Sequence, residues 1–172
     1  HVDRGSITLS TPHAAVVTIP YVNSMVVLGC SIDEWGSMEH TLDHRLTEAW
    51  GHWHGRKSQF CRRRVPLKHR IQRFYRTVLA TLLFGAGDLQ LSASMMAVVD
   101  GFGFQCMRNM MCRSRSPDTP YHVHVQALNV KLRHLLKTMN LLTHSALATK
   151  MHHGWAGHLN RLDCTNPARL LG

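Results

Sequence analysis

The side chains able to do chemistry in this chain are mostly histidines, cysteines and a block of cations; carboxylates are few. Asp33 and Glu34 form the one adjacent acidic pair. A two-metal site needs carboxylates gathered around ions about 4 Å apart. Asp33 and Glu34 instead stand in a short polar segment and read as turn residues. His152, His153, His158 and Cys164 carry zinc-ligand chemistry near the C-terminus, where a closed site would need four ligands. No C-x-x-C pair backs them. The expectation is therefore no metal centre, with His153, His158 and Cys164 the residues that would build one. Cys61 lies among arginines, which would lower its thiol pKa. Nothing marks a partner base, so it reads as a small half-buried residue. His52 and His54 flank Trp53, and His122 and His124 flank Val123; such alternation marks surface positions. Met95, Met96, Met107, Met110 and Met111 read as core filler. No glycine-rich phosphate loop of the Walker or dinucleotide type occurs.

The cations are more informative. Residues 56–85 read RKSQFCRRRVPLKHRIQRFYRTVLATLLFG, and no Asp or Glu falls between Glu48 and Asp88. Pro66 suits the first turn of a helix, where its missing N–H costs nothing. From there Leu67, Ile71, Phe74, Val78 and Leu82 recur at helical spacing, and Tyr75, Leu79 and Leu83 widen the stripe. Lys68, Arg70, Arg73 and Arg76 are expected mostly off that stripe, and Gly85 and Gly87 supply a stop. The chemistry offered is phosphate neutralisation, whose counterion release gives sequence-independent affinity that falls with salt. The candidate nucleic-acid contacts are Arg56, Lys57, Arg62, Arg63, Arg64, Lys68, Arg70, Arg73 and Arg76. The same pattern also describes the solvated face of an ordinary basic helix.

Whole-chain composition agrees with an anionic partner. The 172 residues carry a formal net charge of +10 and 44% apolar side chains. That is enough for one domain, or a domain and part of another, and argues against global disorder. Fourteen histidines add positive charge at mildly acid pH. The five cysteines are odd in number and scattered at 30, 61, 106, 112 and 164. Reduced thiols in an intracellular setting, nuclear or cytoplasmic, are expected. Residues 78–84, the longest strongly apolar run, are too few to span a bilayer. The opening HVDRGS lacks the apolar segment of a signal peptide. No membrane partner is expected.

The elements that must position these side chains read as mainly α, a helical bundle preceded by a small β-hairpin. Residues 1–13 are polar and expected to fray. Residues 14–19 and 21–28 are β-branched runs that suggest two strands of one hairpin. Residues 31–37 read as a turn, and Ser37 caps a helix over 38–53 whose stripe is Leu42, Leu46, Ala49, Trp50 and Trp53. The basic helix follows. A third helix covers 92–112, with Met95, Met96, Val99, Phe102, Cys106 and Met110 inward. The segment RSRSPDTP at 113–120 is a loop and the expected subdomain border. A fourth helix covers about 123–142, with Val123, Ala127, Val130, His134 and Met139 inward and Leu128, Leu132, Leu135 and Leu142 beside them. A fifth covers about 145–159. The expected organisation is a hairpin region at 1–36, a basic helical region at 37–112, a second helical region at 113–162 and a disordered tail at 163–172.

Several strings, taken together and in order, resemble reverse transcriptases of non-LTR (LINE-type) retrotransposons. VLGCSIDEWG at 27–36 is similar to the "YLG-x-x-I-x-x-x-G" segment that follows their catalytic core. Arg45, Ala49 and Trp53 stand where that family has an "R-I-x-x-A" helix. Lys68, Phe74, Tyr75, Leu82, Leu83, Phe84 and Gly85 are similar to "K-x-x-L-Y … L-L-Y-G". Cys106, Met107, Arg108 and Met110 resemble "x-L-R-x-I", and Trp155, Gly157, His158 and Arg161 resemble "W-x-G-H-x-x-R". The resemblance covers about residues 22–162.

It implies the end of the palm, the thumb and a connecting region of an RNA-directed DNA polymerase. Val27, Leu28 and Gly29 would then lie at the primer grip, and the basic helix would face the backbone of a primer–template duplex of RNA and DNA. The family's "[FY]-x-D-D" string, its fingers and the rest of its palm are absent, so no catalytic residue is expected here. No cofactor is expected in this chain; Mg2+ would belong to the parent polymerase. Phe84 stands for the usual Tyr, Val27 for the aromatic of "YLG", and Gly87, Asp88 and Leu89 for "E-x-W". These departures suggest a drifted copy, and DNA synthesis by this polypeptide alone is not expected. The alternatives are an inactive structural remnant of a decayed element and a small zinc-dependent nucleic-acid-binding module.

Overall fold

A computed structural model of the chain describes residues 6–11, 14–20, 22–27, 30–33, 38–87 and 91–161. The chain is mainly helical, with a small β element ahead of the helices. That element is two separate hairpins. β1 (Ser6–Thr11) pairs antiparallel with β2 (Ala14–Pro20), and β3 (Ser24–Val27) pairs antiparallel with β4 (Cys30–Asp33). The two apolar runs are therefore strands but not each other's partners. Each finds its partner across a shorter connection, which costs less chain entropy to close. Two segments expected to be irregular, within 1–13 and 31–37, supply those partner strands. The side chains of Val22, Met25, Val26 and Val27 are exposed.

α1 (Met38–Phe60) runs past the expected end at Trp53 and takes in Arg56 and Lys57. Gly51 and Gly55 do not stop it, because both face outward, where a Cβ would meet nothing within 4 Å. Each costs about 1 kcal/mol of helix propensity, which the buried stripe of Leu42, Ala49, Trp53 and Phe60 offsets. Trp53 and Phe60 stack two turns apart with ring centroids 5.2 Å apart.

The basic helix is two pieces, α2 (Leu67–Arg76) and α3 (Val78–Leu82), broken at Thr77 with φ −122° and ψ −79°. Pro66 sits immediately before Leu67 in extended geometry, consistent with its missing donor. Gly85 has φ +76°, the left-handed turn that ends the stretch. α4 (Ala93–Met111) begins at Ser92, whose hydroxyl accepts from the Met95 N–H at 3.3 Å. α5 (Tyr121–Thr138) and α6 (His144–Arg161) complete the fold.

The α5 face differs from the sequence expectation. Leu128, Leu132 and Leu136 are buried, whereas Val123 and Val130 are exposed. The leucines at i, i+4, i+8 give a straighter apolar stripe than the β-branched positions do. Val99, Phe102, Cys106, Met107 and Met110 of α4 are buried as expected, and α4 packs against α1, α2, α5 and α6. One apolar cluster runs from Leu42 to Ala148, joining residues on both sides of the 113–120 loop.

Candidate nucleic-acid interface

The cations between α1 and α3 do not share one environment. At about 100° per residue, Lys68, Arg73 and Arg76 fall within one arc of α2. All three are exposed, as are Lys57, Arg62, Arg63 and Arg64. Among the described residues none of these seven is paired with a carboxylate, and the sequence offers none from 49 to 87. Arg63 is held in place nonetheless: its Nη2 donates to the Cys112 carbonyl at 3.0 Å, tying the α1–α2 loop to the end of α4.

Arg70 does not belong with them. It falls on the opposite arc, with Leu67, Ile71 and Phe74, and is buried. Its Nη1 donates to the carbonyls of Phe60 at 2.9 Å and Met110 at 2.6 Å, and its Nε to that of Val65 at 2.9 Å. Phe60 and Met110 lie in the last turns of α1 and α4, where carbonyls lack intrahelical partners and the helix dipoles are negative. Arg70 is thus a shared cap for two helices, and its Nε and Nη1 donors are committed to backbone.

Arg56 is half-buried, with Nη1 2.9 Å from His52 Nδ1. Arg56 and Arg76 come together with Arg45 along an open groove of about 440 Å3, lined also by His52, Thr77, Ala80, Thr81 and Phe84. Arg45 lies outside the cation run of residues 56–76. It sits on the buried stripe of α1, between Leu42 and Ala49, and only 7% of it is exposed. Its guanidinium carbon lies 4.4 Å from the centroid of the Phe84 ring. Among the described residues its Nε and Nη2 have no hydrogen-bond acceptor. A cation in the middle of an apolar stripe was the available signal.

Neither Cys61 nor Cys106 is activated. Burial, with Cys112 adding to it, pushes Cys61 above the ordinary thiol value and outweighs Lys57 and Arg70, which act the other way. The expectation that arginines lower it is thereby overturned: the sulfur is partly withdrawn from solvent, which disfavours thiolate. Burial pushes Cys106 up to about 12.

His144, Asp100 and Ser145 meet in space without forming a nucleophile–base pair. The Ser145 Oγ donates to Asp100 Oδ2 at 2.6 Å and the Ser145 N–H to Oδ1 at 3.0 Å, so Asp100 of α4 caps the start of α6. His144 Nδ1 lies 3.2 Å from Asp100 Oδ1, and the ring is fully buried among Phe74, Tyr75 and Phe104. Burial alone would raise the Asp100 carboxyl; hydrogen bonds from His144 and Ser145 outweigh it and bring it down to about 2. The Tyr75 hydroxyl donates to the Leu142 carbonyl at 2.7 Å, and burial, then the nearby Asp100 charge, pushes its pKa up.

Of the zinc candidates, His153 and His158 are exposed, and Cys164 lies outside the described residues. His152 is hydrogen-bonded to the Gly87 carbonyl at 2.9 Å, and His158 stacks on Trp155. Among the described residues no three His, Cys, Asp or Glu side chains are grouped to hold a metal ion. Val27 ends β3, opposite Cys30, while Leu28 and Gly29 lie outside the described residues. No described helix is long and apolar enough to cross a membrane. No family model matches the sequence, and no curated protein or solved structure matches it either.

Proposed function

We propose that the chain binds nucleic acid through its sugar–phosphate backbone, as a thumb-and-connection segment similar to that of LINE-type reverse transcriptases, with the chemistry of synthesis carried by other parts of such a polymerase. One observation carries this reading. Seven cations at the end of α1, in the α1–α2 loop and on the outer arc of α2 stand exposed, with no carboxylate between Glu48 and Asp88 to neutralise them. Such a field attracts polyanions and reads no sequence. A duplex of RNA and DNA would be gripped by shape and phosphate contacts.

The test is filter binding of an RNA–DNA hybrid at low and moderate salt. Affinity should fall steeply as salt rises, by roughly 0.9 in the logarithmic slope for each phosphate neutralised. Absence of binding at low salt, or binding indifferent to salt, removes the proposal.

A further inference from the structure

We infer that the groove between α1 and the α2–α3 junction is a seat for a phosphate group, with Arg45 in its wall and Arg56 and Arg76 beside it. Three arginines line this one groove, and among the described residues no carboxylate does. The buried Arg45 lines it, and its Nε and Nη2, both withdrawn from solvent, have no acceptor among the described residues. A buried donor left unsatisfied, on a charged group, is costly to the fold. An oxyanion in the groove would offer the Arg45 guanidinium a counter-charge and neutralise the mutual repulsion of the three cations. Guanidinium groups match phosphate oxygens in geometry as well as charge.

The other polar groups narrow the roles. The Thr77 hydroxyl donates to the Arg73 carbonyl and the Thr81 hydroxyl to the Thr77 carbonyl, so neither proton is offered to a ligand. The arginines therefore carry the contact. Phe84, 55% exposed, stacks on the Arg45 guanidinium and restrains its plane.

Both free phosphate and a backbone phosphodiester present this chemistry. Assigning the seat to nucleic acid rests on the function proposed above; the seat itself does not. Two measurements on the full chain separate them. The first is thermal melting in inorganic phosphate against chloride at equal ionic strength, for wild type, Arg45→Met and Arg76→Met. Phosphate should raise the wild-type midpoint more than either variant's, since a ligand binding only the folded state stabilises it. The variants subtract the general stabilising action of phosphate salts. Arg76 is exposed, so R76M keeps the test alive should R45M not fold. Equal shifts in all folded proteins, or no shift, overturn the seat.

The second measurement is binding of an RNA–DNA hybrid. A loss on the order of tenfold in R45M, or in R76M well beyond that in an Arg73→Met control outside the groove, with inorganic phosphate competing, supports a nucleic-acid phosphate in the groove. Phosphate-specific stabilisation without hybrid binding supports a free-phosphate site and overturns the nucleic-acid reading. Salt-dependent hybrid binding that R45M does not weaken, and that R76M weakens no more than Arg73→Met does, leaves the backbone reading standing and overturns the seat's assignment to nucleic acid.

Discussion

Nη1 of Arg70 lies 2.6 Å from the carbonyl oxygen of Met110, joining residues 40 apart in sequence. The same nitrogen reaches the Phe60 carbonyl at 2.9 Å. A side chain that looks like part of a phosphate-binding run is in fact a connector between helix ends. Replacing Arg70 with Ala should destabilise the fold by about 3 kcal/mol, from orphaned carbonyls and lost packing. Arg70→Lys should recover only part of this, because an ammonium lacks the planar fork that reaches several carbonyls. Urea unfolding followed by circular dichroism measures both. A loss of less than about 0.5 kcal/mol in R70A would show the contacts to be idle.

The exposed cations should behave in the opposite way. Lys68→Gln with Arg73→Gln should leave the urea midpoint nearly unchanged, since neither residue is buried. The same pair should reduce the slope of log affinity against log salt by about 2 if both contact phosphate. Fluorescence anisotropy with a labelled RNA–DNA hybrid across a salt series gives that slope.

Gly101 and Gly103 sit two residues apart in α4 but should respond with opposite signs to alanine. A Cβ on Gly101 would meet nothing within 4 Å, so G101A should stabilise by up to about 1 kcal/mol through helix propensity. A Cβ on Gly103 would lie 2.5 Å from atoms of the His144 ring, which is enclosed by Phe74, Tyr75 and Phe104. G103A should therefore destabilise by about 1–3 kcal/mol, because overpacking exceeds the propensity gain. Differential thermal melting of the two variants checks the sign directly.

Asp100 makes stability depend on acid pH. Its folded pKa is held at about 2, below the ordinary carboxylate value. Ionised Asp100 thus favours the folded state at pH above about 4, and that contribution disappears as pH falls from about 4 through 2. Urea midpoints should drop across that interval, and Asp100→Asn should show a smaller drop. At neutral pH D100N should cost about 1–2 kcal/mol, through a weaker cap on α6 and a weaker partner for His144. Equal acid profiles for wild type and variant would place the pH dependence elsewhere.

Local periodicity made most of the helices legible. Trp53, Phe74 and Val99 were expected inside and are. The missed features have physical reasons. α1 runs past the expected end at Trp53 because Gly51 and Gly55 fall on its solvent side, where glycine costs propensity but breaks no packing. Arg70 was grouped by charge, yet its spacing from Leu67 and Phe74 already put it on the buried arc. Arg45 carried a similar signal beside Leu42 and Ala49. The Asp100–Ser145 cap and the choice of strand partners were not legible, because each depends on segments brought together only by the completed fold.

The Arg70 connector also divides the molecule's response to ionic strength. Hydrogen bonds withdrawn from solvent are screened far less by dissolved ions than exposed charges are. Arg70 ties Val65, in the loop that carries Arg62, Arg63 and Arg64, to the ends of α1 and α4. Added salt would therefore quench the outward pull of the loop while leaving its anchorage intact. Release of a bound polyanion would then follow from a fading field around an unmoved scaffold, with no unfolding step required.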